Sequence, residues 1–341
     1  DGRASRIRLM YYLNTALRDS GILPPDLWVE FLKCDFAPQV LHIHGFSSVV
    51  RFPAKATSVP CIISTSTGST YDLRHYLGWE DRRAIRARWR KRQYLRLIKA
   101  RDSSLNPGNS SHVLVWSQFA RQLHLDEGWV RPDQIDVLYP GLPWRGELHQ
   151  GFDRKPGVTF LFIGRDFVRK NGQAVLDAFR RVHASHPGAQ LIFVSTLPDG
   201  HKITYPGVQH YESLPRQELL ERIYPQADVL LLPSRAEGFG LVLLEAMSFG
   251  MPVIGVNAWA MSEIIENGSN GFLLNPHGDL VAEISDAMLR CAVTERLNHL
   301  RHSTKQIFEA RFAIKVHNAR LLQFYETALT VSVPQRQHRG A

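Results

Sequence analysis

Residues 230–255 read L-L-L-P-S-R-A-E-G-F-G-L-V-L-L-E-A-M-S-F-G-M-P-V-I-G, and this stretch decides the fold class. Leu230, Leu231 and Leu232 end a short apolar run with the character of a buried strand. Pro233 and Ser234 break the run, a glycine-rich turn follows, and a helix is expected over about 241–249. Gly250 and Pro252 stop that helix, and Val253-Ile254 begins a second apolar run. Strand, turn, helix and strand in this order are the unit of a parallel sheet. Two acids, Glu237 and Glu245, flank the turn, and the backbone N–H groups of the helix start that follows attract anions.

The same alternation extends outward in both directions. Downstream, strands are expected at 253–256 and 271–274, and helices at 262–266, 280–292, 293–310 and 313–329. Upstream, strands are expected at 158–163, 191–194, 208–211 and 229–232, with helices at 173–185 and 216–223. Val175, Ala178, Phe179 and Val182 fall on one face of the first of these helices. The polar, irregular stretch 142–157 reads as a linker. Before it lie a helix over about 1–20, a further helical segment at 27–35, and short strands at 40–43, 60–64, 112–116 and 135–138. Two alternating blocks imply two doubly wound α/β domains, whose ligands bind outside the carboxyl ends of the strands. The expected division is 1–148, 149–312, a helix at 313–331 and a polar tail at 332–341.

Composition sets bounds. The 341 residues are 44% hydrophobic and 21% charged, ordinary for a soluble globular protein of two domains. Apolar runs stay well short of the roughly 18 residues a membrane span needs, and no secretory pattern is read. Cys34, Cys61 and Cys291 are far apart and lack metal-ligand spacing, which points to a reducing, cytoplasmic setting. The sequence opens on Asp1 rather than Met, as expected of a fragment or a processed chain.

A net charge of +9 favours anionic partners. Much of it lies in 81–101, D-R-R-A-I-R-A-R-W-R-K-R-Q-Y-L-R-L-I-K-A-R. An exposed helix with solvated charges accounts for this stretch. A surface from Arg82 to Arg101 that touches an anionic membrane is the sharper alternative. Zinc-finger spacing and nucleic-acid-binding aromatic motifs are not found, so no nucleic-acid partner is expected.

The segment S-R-A-E-G-F-G-L-V-L-L-E-A-M-S-F-G-M-P-V-I resembles the E-x7-E signature of the retaining glycosyltransferases of family 4, the group 1 enzymes of the GT-B fold. F-I-G-R-D-F-V-R-K-N-G (162–172), A-D-V-L-L-L-P-S (227–234), S-E-I-I-E-N-G-S-N-G-F-L-L (262–274) and V-L-Y-P-G-L (137–142) are similar to other family elements, in order. The resemblance covers nearly all of the second half and the first half more loosely. It implies two Rossmann-like domains facing across a cleft, with the N-terminal one truncated or reduced and a closing helix that returns to it.

It also implies a metal-independent transfer from a nucleotide diphosphate-sugar, UDP- or GDP-linked, to a glycan, lipid-linked or protein acceptor, and no cofactor. Arg165 and Lys170 would grip the diphosphate, as guanidinium and ammonium groups do. The N–H groups of Phe239, Gly240 and Leu241 would add to this, and Gly164, Gly238 and Gly240 would let backbone come close. Glu237 would hold a hydroxyl of the donor sugar, and Glu245 the ribose.

The first half departs from the family pattern. Ser66 or Thr67 stands where a strand-end histidine is usual, while His42 and His44 occupy an earlier H-x-H-G element. Ala258-Trp259-Ala260 replaces a usual Gly-Gly. Two alternatives follow: a catalytically impaired partner subunit that binds nucleotide sugar, or a sugar-nucleotide epimerase of the same fold.

Overall fold

The structure, a computed structural model, describes residues 30–33, 41–44, 48–51, 61–66, 112–126, 128, 130–146, 157–199 and 201–331. The chain divides into two units, residues 1–138 together with 319–341, and residues 139–318. The basic segment 81–101, the expected helix at 1–20, Thr67 and the tail 332–341 lie outside the described residues.

In the first unit the strands are β1 (Glu30–Lys33), β2 (Leu41–His44), β3 (Ser48–Arg51), β4 (Cys61–Thr65), β5 (His112–Val115) and β6 (Ile135–Val137), with α1 (Gln118–Asp126) between the last two. A parallel sheet runs in the order β2-β4-β5-β6, and β1 pairs separately with β3. Within the segment expected as a helix at 27–35, the described residues, Glu30–Lys33, form a strand instead. Phe31 and Leu32 stand opposite Val49 and Val50 in register. Ser48–Arg51, with β-branched Val49 and Val50 at its centre and not among the expected strands, supplies the ladder partner that overrides local helical spacing.

The second unit holds β7 (Thr159–Ile163), α2 (Gly172–Ser185), β8 (Gln190–Val194), β9 (Val208–Tyr211), α3 (Arg216–Glu218) and β10 (Val229–Leu232). These are followed by α4 (Leu241–Ser248), β11 (Val253–Val256), α5 (Met261–Ile264), β12 (Gly271–Leu274), α6 (Leu280–Cys291) and α7 (Thr294–Arg311). A last helix, α8 (Ile314–Val331), starts in this unit and continues from Ala319 in the first. The regular helix expected at 216–223 is shorter. After α3 the chain makes one π turn, Leu219–Ile223, and a 3-10 turn, Tyr224–Gln226, where Pro225 cannot donate an N–H.

All six strands of this unit are parallel, in the order β12-β11-β10-β7-β8-β9. Renumbered by chain position this is 3-2-1-4-5-6 read from the β9 edge, the doubly wound dinucleotide-binding order. β10 is buried at every residue, as a central strand covered on both faces must be. Val175, Leu176, Ala178, Phe179 and Val182 of α2 pack on the sheet with Phe160, Phe162 and Phe193. The rings of Phe162 and Phe193 stack at 4.5 Å. α4 is apolar nearly all round, and Leu243, Leu244, Ala246 and Met247 are buried. The start of the stretch expected as a linker is anchored in this unit: Leu142 N–H donates to Phe312 O at 2.9 Å and the Trp144 ring lies 5.7 Å from Phe308.

Candidate functional site

In a doubly wound sheet the strand order reverses where chain direction leaves room for a ligand, at the carboxyl ends of the two central strands. Here those strands are β7 and β10. The loops that leave them, 164–171 and 233–240, hold most of the site residues expected from sequence.

The two loops are laced together. Asn171 takes a left-handed conformation, φ 56°, which Asn tolerates better than most residues. Its Nδ2 donates to Pro233 O at 2.7 Å, and its Oδ1 accepts from Arg235 Nε at 2.7 Å. Arg235 N–H donates to Arg169 O at 2.8 Å, and Arg169 Nη1 donates to Ala236 O at 2.8 Å. Asp166 steadies Arg169 in turn, accepting from its N–H at 3.0 Å and from Nε at 3.1 Å. Arg169, Asn171 and Arg235 were not anticipated as site residues. The Asn171-Gly172 dipeptide, a turn signal in its own right, was the available clue.

Lys170 and Glu237, 67 positions apart, meet within this lacing: Lys170 Nζ donates to Glu237 Oε2. Both side chains are 11% exposed. Arg169 Nη1 lies 3.9 Å from the same oxygen, and Ser234 Oγ donates to it at 3.4 Å. Burial pushes the Lys170 ammonium below its usual range, and Glu237 opposes that shift. Gly164 is buried and packs on the lysine: a Cβ there would meet Lys170 Cγ at 2.9 Å and Phe162 Cζ at 3.1 Å. It makes room for the lysine stem. Arg165 differs from its neighbour. It is exposed, and no hydrogen bond or ion pair joins it to a described residue.

The second loop turns into α4 at Gly240, φ 79°, a conformation in which glycine carries no steric cost. Gly238, Phe239 and Gly240 are buried; Leu241 is 41% exposed at the helix start. The Phe239 ring lies 6.4 Å from Tyr139, whose hydroxyl donates to Glu263 Oε2 at 3.1 Å. Glu245 does not join Glu237. Its Oε1 accepts from Arg216 Nη2 at 2.7 Å and Nε at 3.0 Å, and its Oε2 from the Tyr224 hydroxyl at 2.9 Å. Tyr224 and Arg216 were also not anticipated.

In the first unit, His42 Nδ1 lies 2.7 Å from Tyr325 Oη and Nε2 lies 2.5 Å from Ser64 Oγ. It ties α8 to the sheet edge. Ser66 is half-buried.

Trp259 also has a positive φ, 53°. In a bulky residue this is an outlier that costs about 1–2 kcal/mol. It stands where the family pattern has glycine. Trp259→Gly is therefore expected to raise the thermal unfolding midpoint by a few degrees, read by calorimetry or circular dichroism. A lower midpoint would mean that packing of the indole outweighs the strain.

A model of the family described as "Glycosyl transferases group 1" matches residues 157–293. The chain is 28% identical over 284 residues to sulfoquinovosyl transferase SQD2 of Arabidopsis thaliana, covering 79% of this chain and 52% of that protein. It is 30% identical over 168 residues to D-inositol 3-phosphate glycosyltransferase of Rhodococcus erythropolis, covering 43% and 38%. The chain thus spans about half the length, or less, of these relatives. Among solved structures it resembles sucrose-phosphate synthase from Thermosynechococcus elongatus, with a TM-score of 0.63 at 15% identity, covering 87% of this chain and 75% of that one. Anabaena HepE in complex with UDP and glucose gives a TM-score of 0.60 at 18% identity, covering 84% and 78%. The shared fold is GT-B, and the likeness to the group 1 glycosyl transferases lies in residues 157–293.

Proposed function

We propose that the chain transfers a sugar from a uridine diphosphate-sugar to an acceptor hydroxyl, with retention at the anomeric carbon and without a metal. The observation that carries this reading is the buried Lys170–Glu237 pair at the switch point of the β7 and β10 loops. The likeness to a structure that holds UDP and glucose supports the choice of donor.

Lys170, Arg165 and the N–H groups of Phe239, Gly240 and Leu241 face the diphosphate in this scheme. They stabilise the charge that grows on it as its bond to the sugar breaks. Close backbone approach at Gly164, Gly238 and Gly240 fits that role. Glu237 holds a donor-sugar hydroxyl and keeps Lys170 in place; Glu245 holds the ribose. The acceptor oxygen forms its bond to the anomeric carbon on the face the phosphate leaves, and the acceptor proton passes to the departing phosphate oxygen.

Thermal unfolding with UDP, GDP and ADP tests the donor site. A nucleotide at a hundred times its dissociation constant adds about 2.7 kcal/mol of stability, and UDP is expected to give the largest upward shift. If none of the three moves the midpoint, the donor reading fails. Donor consumption that rises only with added acceptor separates transfer from epimerisation.

A further inference from the structure

We propose that Tyr224 is a positioning residue that dedicates one oxygen of Glu245 to the nucleotide ribose, and that Arg216 is the exchangeable occupant of that oxygen. This rests on the donor-site reading above.

The two oxygens of Glu245 stand in different surroundings. Oε2 accepts from the Tyr224 hydroxyl at 2.9 Å, and Tyr224 is fully buried. Its ring stacks on Phe249 at 5.2 Å with an interplanar angle of 2°, so the hydroxyl has little freedom. Burial, with Glu245 beside it, holds the phenol well above its ordinary range, and it stays a donor. Oε1 accepts both contacts from Arg216, whose side chain is 67% exposed. The Glu245 side chain is 14% exposed, so the pair is open to solvent on its arginine side only, and it is the guanidinium that can exchange. One oxygen is therefore fixed from the protein interior, and the other is held from the solvent side by a group that can leave.

The backbone is built for this arrangement. The π turn Leu219–Ile223 lies between Arg216 and Tyr224; such turns recur at functional sites because they re-aim side chains out of helical register. In a regular helix, residues eight apart lie about 80° apart around the axis. The π turn and the following 3-10 turn bring both side chains to one carboxylate.

The test measures calorimetric affinity for UDP and for its 2′-deoxy and 3′-deoxy analogues, in the full chain and in two variants. In the unaltered chain, loss of a ribose hydroxyl is expected to weaken binding about tenfold, one hydrogen bond to a charged acceptor. Tyr224→Phe keeps the ring and removes the hydroxyl. It should weaken UDP about five- to tenfold and shrink the deoxy penalty to about twofold. Full deoxy discrimination in a folded Tyr224→Phe protein would overturn the proposal. Arg216→Ala carries the test independently if Tyr224→Phe does not fold. It should leave UDP affinity unchanged or raise it up to about threefold, with the deoxy penalty retained. A tenfold loss would make Arg216 a ligand contact rather than a placeholder. If the unaltered chain binds no UDP, the donor-site reading falls and this proposal with it. UDP binding without any deoxy penalty spares the donor site and overturns only the proposal.

Discussion

Lys170→Met is expected to lower kcat/KM for sugar transfer at least about a thousandfold and to destabilise the protein as well. The activity loss follows from position: the ammonium sits where the β7 loop meets the β10 loop, the place proposed for the diphosphate. Removing a preorganised charge from a transition-state oxyanion costs on the order of 10²–10³ in rate, and the loss of ground-state diphosphate binding adds to it. The stability loss has a separate origin. Glu237 is 8% exposed and shares its Oε2 with Lys170, Arg169 and Ser234. Taking the ammonium away leaves a buried carboxylate short of its main counter-charge, a change that costs about 3–5 kcal/mol. The double variant Lys170→Met/Glu237→Gln removes both charges. It should recover most of the unfolding midpoint while remaining inactive. Denaturant unfolding of the two single variants and the double variant closes the cycle. If the double variant is as unstable as the sum of the singles, the two side chains do not act as a pair.

The lowered Lys170 pKa gives the same argument a pH axis. With a folded-state value below the unfolded one, the folded chain binds fewer protons here than the unfolded chain. Its contribution to stability is unfavourable below the folded pKa and is relieved as pH rises toward 10.5. Activity runs the opposite way, because transfer needs the ammonium. kcat/KM should fall on the alkaline side earlier than an ordinary lysine would dictate. Donor phosphate, by favouring the charged form, should move the limb of kcat to higher pH. A kcat/KM that stays flat beyond pH 10.5 would remove Lys170 from the reaction.

Part of this candidate site is legible in the chain, and the reasons differ by residue. The run of Leu230 to Leu232, the helix start at Leu241 and the stop at Gly250 are local signals, and the structure has β10 and α4 there. Glu237, Arg165 and Lys170 were marked by resemblance and lie on the two loops of the switch point. The Lys170–Glu237 bond itself could not be read, because it joins the ends of strands 67 positions apart whose adjacency is a property of sheet order. The partners of Glu245 were hidden by the π turn, which breaks the helical register that sequence spacing assumes. β1 departs from its helical spacing because four residues of strand take their conformation from a partner, Ser48–Arg51, rather than from their own sequence.

Arg165 separates function from stability more cleanly than Lys170 does. Arg165→Ala should lower kcat about a hundredfold or more and leave the unfolding midpoint within about a degree. The side chain is exposed, and no hydrogen bond or ion pair ties it to a described residue, so its removal breaks no interaction there. Exposed substitutions away from caps and networks stay within about ±0.5 kcal/mol. Arg165, one residue past Gly164 in the β7 loop, has no hydrogen bond or ion pair to a described residue, whereas Lys170 is paired with Glu237. Lys170 enters the reaction already paired, so the diphosphate must draw much of its compensation from Arg165 and from the start of α4. The fork of the guanidinium also matters, because it can offer two parallel donors to phosphate oxygens that an ammonium cannot match. Arg165→Lys should therefore recover charge without geometry and restore only part of the rate, about tenfold of the hundred. The measurements are initial rates at saturating and limiting donor, with thermal unfolding run in parallel. Full activity in Arg165→Ala would sink the assignment. A fall in kcat/KM with kcat unchanged would show that Arg165 binds the ground state and the transition state equally. Equal loss in both would place its contact in the transition state, where charge on the departing phosphate is greatest.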